Sequence, residues 1–157
     1  SQESPPPTKQ STAGQIVIFL DTDHLSILTN RAAAGHAALL SRLDNSTDSP
    51  AVPIVCVEEQ CKGWLAKIHG TREVHQQISA YERLENLFQF LAEWDIVSFD
   101  TAAADAFVDL RRQKVRIGSR DLKIASIALT HDALLLSANL RDFRQVPGLR
   151  VENWLLP

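Results

Sequence analysis

The sequence predicts an α/β fold, a three-layer α/β/α sandwich around a mostly parallel central sheet of about five strands. Two observations support this prediction. Short apolar runs alternate along the chain with longer stretches whose apolar residues recur at helical spacing, which is typical of strands joined by helical crossovers. The chain has 157 residues, enough for one hydrophobic core and too few for two ordinary domains.

The chain begins with a segment that has no apolar periodicity. Residues 1–15 contain Pro5, Pro6 and Pro7 among small polar side chains, a composition typical of disordered tails. We therefore expect a tail over residues 1–15 and one folded domain over residues 16–157. The apolar run IVIFL at residues 16–20 opens that domain and predicts a buried strand.

The other elements follow from apolar spacing and from turn residues such as Gly70 and Gly118. We expect helices over residues 22–30, 31–43, 58–68, 71–94, 102–113 and 121–131. We expect further strands over residues 51–57, 95–99, 133–139 and 149–154. Pro53 indicates an early position in the second strand or an edge position in the sheet, because proline cannot donate a ladder hydrogen bond.

Charge and hydropathy exclude several classes of protein. A net charge of −3 argues against binding nucleic acid by bulk positive charge, although not against an acidic site neutralised by divalent cations. Apolar runs are short and the N-terminus is polar, so we expect no membrane span, no secretory signal and a cytoplasmic location. Cys56 and Cys61 match neither a disulfide nor a zinc pattern and are expected to be reduced thiols.

Four acidic residues lie at the ends of predicted strands or at the starts of predicted helices. Asp21 follows the first strand, Glu59 lies in the first turn of the helix after the second, Asp121 opens a later helix, and Asp142 follows the fourth strand. Because ligands of parallel sheets gather outside the carboxyl ends of the strands, these four side chains can meet in one pocket. Each also has an ordinary alternative as a cap, a first-turn acid or a turn residue.

The stretch FLDTDHLS raises the question of what stabilises two carboxylates, Asp21 and Asp23, at one strand end. Neighbouring carboxylates raise one another's pKa unless a positive charge lies between them. Mg²⁺ and Mn²⁺ are hard cations that prefer oxygen ligands. Two such ions, roughly 3.5–4 Å apart, can activate a water and stabilise the leaving oxygen of a phosphodiester. The sequence therefore predicts a site for one or two Mg²⁺ or Mn²⁺ ions.

Four segments, in this order, carry a family resemblance: FLDTDHLSIL, EEQCKGWL, IGSRDLKIASIAL and SANLRDFRQVPGLRVENW. Together they resemble the PIN-domain family, and most closely its VapC-type toxins of bacterial toxin–antitoxin pairs. The resemblance spans residues 16–154. It implies a metal-dependent endoribonuclease on the PIN α/β/α fold. Such an enzyme hydrolyses RNA with a metal-activated water and leaves a 5′-phosphate and a 3′-hydroxyl.

The resemblance also implies roles for the four acids. Asp21 and Asp121 would hold the principal ion, and Glu59 and Asp142 would complete the catalytic site directly or through water. Glu58 is a poorer ligand candidate than Glu59, because adjacent helical residues point about 100° apart.

Other positions are expected to support the pocket or to contact RNA. Thr22, Ser137 and Asn139 match small polar positions around the acids. The stretch 111–123 holds six basic residues against the single acid Asp121. Its residues Arg116, Arg120 and Lys123 are candidates for RNA phosphate contacts, with a solvated helix face as the alternative.

This sequence departs from the family pattern at two positions. Asp23 stands where the family often has asparagine, which indicates one extra negative charge in the pocket. Ala138 stands where many members have a longer polar or basic side chain, which leaves an RNA contact there in doubt.

Two other functions compete with a nuclease. Haloacid-dehalogenase-type phosphatases also place Asp-x-Asp after a buried strand, but their motif continues with Gly and Thr, whereas His24 and Leu25 follow here. Some PIN domains are non-catalytic RNA-binding or scaffold modules. Metal-dependent turnover distinguishes a nuclease from such a module.

The resemblance further implies an RNA substrate, a homodimer and a cognate antitoxin whose C-terminal segment blocks the acidic pocket. An exposed apolar groove between the early helices, residues 22–43, and the helix at residues 71–94 would suit such a segment. The alternative is that the leucines on these helices belong to the core.

Overall fold

The computed structural model describes residues 17–46 and 48–155. The predicted tail and Ile16 lie outside the described residues. The strands within them are β1 (Val17–Leu20), β2 (Ser49–Pro53), β3 (Asp95–Val97), β4 (Leu134–Leu136) and β5 (Arg150–Glu152). The α-helices within them are α1 (Thr22–Leu28), α2 (His36–Asp44), α3 (Ile54–Gly70), α4 (Ile78–Leu91), α5 (Thr101–Arg112), α6 (Ser119–Thr130) and α7 (Leu140–Phe143).

The five described strands form one parallel sheet in the order β3-β2-β1-β4-β5. The chain first steps from β1 to β2 and β3, and then returns to β4 and β5 on the other side of β1. Parallel crossovers are right-handed, so this reversal places α1–α4 on one face of the sheet and α5–α7 on the other. The predicted α/β/α fold with about five strands is confirmed.

The core lies on both sides of the two central strands. Ile18, Phe19 and Leu20 of β1 and Leu135 and Leu136 of β4 are fully buried. Their apolar runs are continuous rather than alternating because helices cover both faces of the sheet. Leu25, Leu28, Leu39 and Leu43, on the first two helices, are also buried in this core.

The boundary between the second strand and its helix differs from the prediction. β2 ends at Pro53, and α3 begins at once with Ile54 rather than at residue 58. An apolar run such as IVCV is compatible with a buried strand or with a buried first helical turn, so periodicity alone could not decide. Both positions inferred from Pro53 are also wrong, because Pro53 is the last residue of β2 and β2 pairs with both β1 and β3.

Two predicted helices are shorter than expected. Gly35 has a φ of +85° and caps α2, which therefore begins at His36 rather than at residue 31. The expected long helix over residues 71–94 is a 3₁₀ turn (Val74–Gln77) followed by α4. The Gln77 side chain donates to the carbonyls of Ile68 and Thr71, at 3.2 and 2.6 Å, so it caps the end of α3.

Candidate active site at the carboxyl edge of the sheet

The candidate site lies where the strand order reverses, outside the carboxyl ends of β1 and β4. Such a switch point is where open parallel sheets bind their ligands. Asp21 is the first residue after β1, and its backbone N–H donates to the carbonyl of Leu136 at the end of β4 (2.9 Å). An open pocket of about 290 Å³ lies at this edge. The side chains that line it are Asp21, Thr22, Asp23, Ser26, Glu59, Arg120, Asp121 and Asn139.

Asp21 is buried and held at both carboxylate oxygens. The Thr22 backbone N–H donates to Oδ1 (2.7 Å), and Ser137 Oγ donates to Oδ2 (2.6 Å). Burial raises the pKa of Asp21 to about 6, assisted by the charges of Asp23 and Asp121 and opposed by the two hydrogen bonds. A carboxyl group in this environment gains from any cation that approaches it.

Glu59 reaches the same pocket from α3. Because α3 begins at Ile54, Glu59 lies in the second helical turn, and its predicted place in the first turn is wrong. Thr22 Oγ1 donates to Glu59 Oε2 at 2.5 Å, which joins α3 to the start of α1. Glu58 is exposed and does not line the pocket, as its neighbouring position on the helix predicts.

Asp121 and Asp142 are joined by one amide. Asp121 is buried in the first turn of α6, and Asp142 lies in α7. Asn139 Nδ2 donates to Asp121 Oδ2 and to Asp142 Oδ2, both at 3.1 Å. Asp142 does not line the 290 Å³ pocket, and Asn139 links it to Asp121, which does.

Arg120 brings a positive charge to the acids. Its Nη1 donates to Glu59 Oε1, and its Nη2 and Nε lie 3.3 and 3.4 Å from Asp121 Oδ1. Partial burial lowers the pKa of Arg120, but the charges of Glu59 and Asp121 outweigh it and the net pKa is raised. From the sequence, Arg120 is expected only as an RNA contact, because Glu59 is 61 residues away in the chain.

Asp23, which is partly exposed, and the buried His24 form a brace that sequence reasoning missed. The backbone N–H of His24 donates to Asp23 Oδ1 (2.7 Å), and that of Ala138 donates to Oδ2 (2.8 Å). His24 Nε2 accepts the Trp154 backbone N–H (3.1 Å), so Nδ1 carries the proton and donates to Asp23 Oδ1 (2.5 Å). Asp23 adds negative charge near Asp21, as expected, but its oxygens serve chiefly to join α1 to the segments after β4 and β5.

The other two proposed RNA contacts lie outside the pocket. Arg116 is exposed in the loop before α6. The ammonium of Lys123 lies 6.0 Å from the centre of the Phe99 ring, a long cation–π distance. Neither residue lines the pocket.

The pocket matches a hard cation in its chemistry but does not present a closed ligand set. Among residues 17–46 and 48–155, no group of three or more His, Cys, Asp or Glu side chains is close enough together to hold one ion. Asp21, Glu59 and Asp121 nevertheless supply only oxygen donors, which Mg²⁺ and Mn²⁺ prefer. Arg120 pairs with two of these acids and partly neutralises their charge.

The described cysteines are unpaired, as predicted, with Cys56 buried and Cys61 partly buried. Cys56 Sγ lies 3.9 Å from Asp21 Oδ1. Burial raises the pKa of the Cys56 thiol well above its ordinary value, and the charge of Asp21 raises it further. The thiol therefore does not act as a nucleophile or a metal ligand in this state.

A second depression lies between the end of α1 and the end of α4. It has a volume of about 660 Å³ and is lined partly by Leu28, Ala32, Phe90 and Trp94. The rings of Phe90 and Trp94 stack with centroids 4.7 Å apart. We name this depression the α1–α4 groove. It lies where the sequence analysis expected a groove, but polar side chains form much of its lining, and Leu25, Leu39 and Leu43 belong to the core.

None of the helices in the described residues combines the length and the apolarity that a membrane span requires.

Comparison with known proteins gives relatives in sequence. A stretch of 69 residues aligns with Ribonuclease VapC2 of Rickettsia felis at 33% identity. The alignment covers 41% of this chain and 52% of that protein. The tRNA(fMet)-specific endonuclease VapC of Salmonella typhimurium is 30% identical over 69 residues, with the same coverage of both chains. The chain thus spans about half the length of the curated relatives it matches.

Solved structures share the fold over most of the chain. VapBC2 of Rickettsia felis, solved with a DNA fragment from its promoter, matches with a TM-score of 0.67 and 22% identity, covering 88% of this chain and 99% of that one. DNA-bound VapBC of Salmonella typhimurium matches with a TM-score of 0.69 and 20% identity, covering 89% and 99%. The family model described as "PIN domain" matches residues 18–149. The chain therefore belongs to the PIN-domain family rather than to the dehalogenase-type phosphatases.

Proposed function

We propose that the chain is a metal-dependent endoribonuclease and the toxin of a toxin–antitoxin pair. The observation that carries this proposal is the pocket in which Asp21, Glu59 and Asp121, from three separate elements, lie together at the carboxyl edge of the sheet. Sequence relatives named ribonuclease VapC support the activity, although the match covers about half of their length. Solved toxin–antitoxin complexes of the same fold support the biological setting.

We assign the principal Mg²⁺ or Mn²⁺ ion to Asp21 and Asp121, with Glu59 and Asp142 completing the site directly or through water. A bound ion supplies an activated water and positive charge for the leaving oxygen of the phosphodiester. The proposed site holds one or two of these ions.

The polar residues around the acids orient them for this role. Ser137 Oγ fixes Asp21, Thr22 Oγ1 fixes Glu59, and the Asn139 amide fixes Asp121 and Asp142. Each of these carboxylates is therefore held in place by at least one uncharged protein donor. Such preorganisation lowers the cost of gathering several negative charges around one ion.

The RNA strand would cross the mouth of this pocket beside the basic residues Arg116, Arg120 and Lys123. Only Arg120 lines the pocket, so it is the residue placed to contact the phosphate nearest the reacting centre. The other two are assigned to flanking phosphates. Their contribution would be electrostatic and would weaken as salt rises.

The test is cleavage of a panel of structured RNAs, including tRNAs because one relative is named a tRNA(fMet)-specific endonuclease. The wild-type protein is assayed with Mg²⁺, with Mn²⁺ and with EDTA, beside Asp121→Asn and the matched control Asp105→Asn. Asp105 is exposed on α5 and lies outside the pocket. Cleavage that needs metal and is lost in Asp121→Asn alone supports the proposal. Cleavage that persists in Asp121→Asn refutes it, and RNA binding without cleavage favours the non-catalytic PIN module.

We further propose that a cognate antitoxin places a helical segment in the α1–α4 groove, with Phe90 and Trp94 as apolar anchors. Several solved structures of the same fold are VapBC complexes. Replacing Phe90 by Glu should abolish inhibition by the antitoxin and leave RNA cleavage intact, because Phe90 lines the groove and not the pocket of the acids. Equal inhibition of variant and wild type would refute this placement.

We also propose that the chain forms a homodimer and is located in the cytoplasm. Sedimentation analysis tests the dimer.

A further inference from the structure

Arg120 occupies the carboxylate oxygens that a metal ion would need. Glu59 has one oxygen on Thr22 Oγ1 and the other on the Arg120 guanidinium. Asp121 has one oxygen on the Asn139 amide and the other on the same guanidinium. The Thr22 hydroxyl and the Asn139 amide therefore hold one oxygen of each acid, and Arg120 holds the other.

Arg120 differs from the other partners of these acids because half of its side chain is exposed. Its side chain is 50% exposed, whereas that of Asp121 is 9% exposed. Within the described residues, Arg120 is the only basic side chain that lines the pocket. Half-exposed ion pairs are weak, so a divalent ion can displace the guanidinium at small cost. The released guanidinium would stay at the mouth of the pocket because its backbone is fixed beside Asp121 in the first turn of α6.

We propose that Arg120 is an exchangeable counterion: a divalent ion displaces its guanidinium from Glu59 and Asp121, and the guanidinium then pairs with a phosphate of the RNA. This inference rests on the proposed function. A planar guanidinium suits both partners, since it binds a carboxylate or a phosphate through two parallel donors. Metal binding and substrate binding are thereby coupled through one side chain, which neutralises the acids first and the phosphate afterwards.

The exchange predicts effects of opposite sign in one variant. Arg120→Gln should bind Mn²⁺ more tightly than wild type by roughly 3- to 10-fold, the range that two half-exposed ion pairs support. At saturating Mn²⁺, the same variant should cleave the best RNA of the panel with a kcat/KM at least about 10-fold lower, because a charged contact to phosphate is lost. Arg120→Lys keeps the charge and should recover part of the cleavage. General damage to the fold cannot strengthen one function while weakening the other.

The experiment titrates Mn²⁺ into the metal-free full-length protein and follows free Mn²⁺ by electron paramagnetic resonance, without RNA. Arg72→Gln is the matched control, since Arg72 is exposed and lies outside the pocket. Unchanged or weaker Mn²⁺ binding by Arg120→Gln would overturn the exchange, and wild-type cleavage by that variant would overturn the phosphate contact. Asp121→Asn distinguishes a failure of the proposed metal site from a failure of the Arg120 exchange. If Asp121→Asn binds Mn²⁺ as wild type does, the proposed metal site itself is wrong.

Discussion

Removing the charge of Asp21 should stabilise the metal-free protein at neutral pH. The pKa of Asp21 is raised from 3.8 to about 6, chiefly by burial. The folded state therefore binds the Asp21 proton more tightly than the unfolded state, and stability falls as pH rises from about 4 to about 6. At about 1.4 kcal/mol for each pKa unit, the ionised carboxylate costs about 3 kcal/mol above that range.

Asparagine can replace Asp21 without losing its two hydrogen bonds. The amide oxygen can accept the Thr22 backbone N–H, and the amide nitrogen can donate to Ser137 Oγ. The amide is still a buried polar group, so part of the 3 kcal/mol is retained as a desolvation cost. We expect Asp21→Asn to raise the free energy of unfolding by about 2 kcal/mol at pH 7.5, which corresponds to ~4–8 °C in Tm for a chain of this size.

The assay is urea unfolding in EDTA at pH 7.5 and again at pH 4, with Asp105→Asn as the control. The gain should shrink toward zero at pH 4, where Asp21 is protonated in the folded wild type. Adding Mg²⁺ at ten times its dissociation constant should stabilise wild type by about 1.4 kcal/mol and the variant much less. An Asp21→Asn protein that is less stable than wild type in EDTA at pH 7.5 would refute the reasoning, since the carboxylate would then be stabilised where it lies.

Three further predictions concern other parts of the site. Glu59→Gln should lower the rate of RNA cleavage at least about 100-fold, whereas Glu58→Gln should keep it, because of these two acids only Glu59 lines the pocket. Equal cleavage rates of the two variants would contradict this. His24→Ala should lower the free energy of unfolding, measured in urea titrations, by about 3 kcal/mol. The substitution empties a fully buried position and leaves the Trp154 backbone N–H unpaired. A loss below about 1 kcal/mol would show that the brace is dispensable. Iodoacetamide at pH 8 should label Cys56 only after unfolding, because burial raises the pKa of its thiol. Mass spectrometry of the labelled native protein should find Cys61 modified first. Rapid labelling of Cys56 would contradict its burial.

The sequence predicted the fold well because apolar spacing is a local signal. Every predicted strand has a counterpart in the structure, and the acids Asp21, Glu59 and Asp121 were placed at the correct edge of the sheet. That placement needed only the order of the elements and the rule that parallel strands present their carboxyl ends together. The errors lie at element boundaries, where an apolar run such as that before Glu58 fits a strand or a helix equally well.

The partners of the acids could not be predicted in the same way. The Ser137–Asp21 and Trp154–His24 hydrogen bonds join residues 116 and 130 positions apart. No periodicity or local motif links such positions, so only the folded chain shows which polar atoms are already satisfied. The motif FLDTDHLS illustrates this limit. Both of its carboxylates line the pocket, but Asp23 also accepts hydrogen bonds from His24 and Ala138.

The pocket holds more negative than positive charge. Asp21, Asp23, Glu59 and Asp121 line it together with one guanidinium, that of Arg120. Four carboxylates against one positive charge would repel an RNA phosphate, and burial, assisted by the charges of Asp23 and Asp121, raises the pKa of Asp21. Under the proposed function, a divalent ion would reduce this imbalance and would free Arg120 for the substrate at the same time. We therefore expect the metal to bind before the RNA, because the pocket would attract phosphate only after its own acids are neutralised.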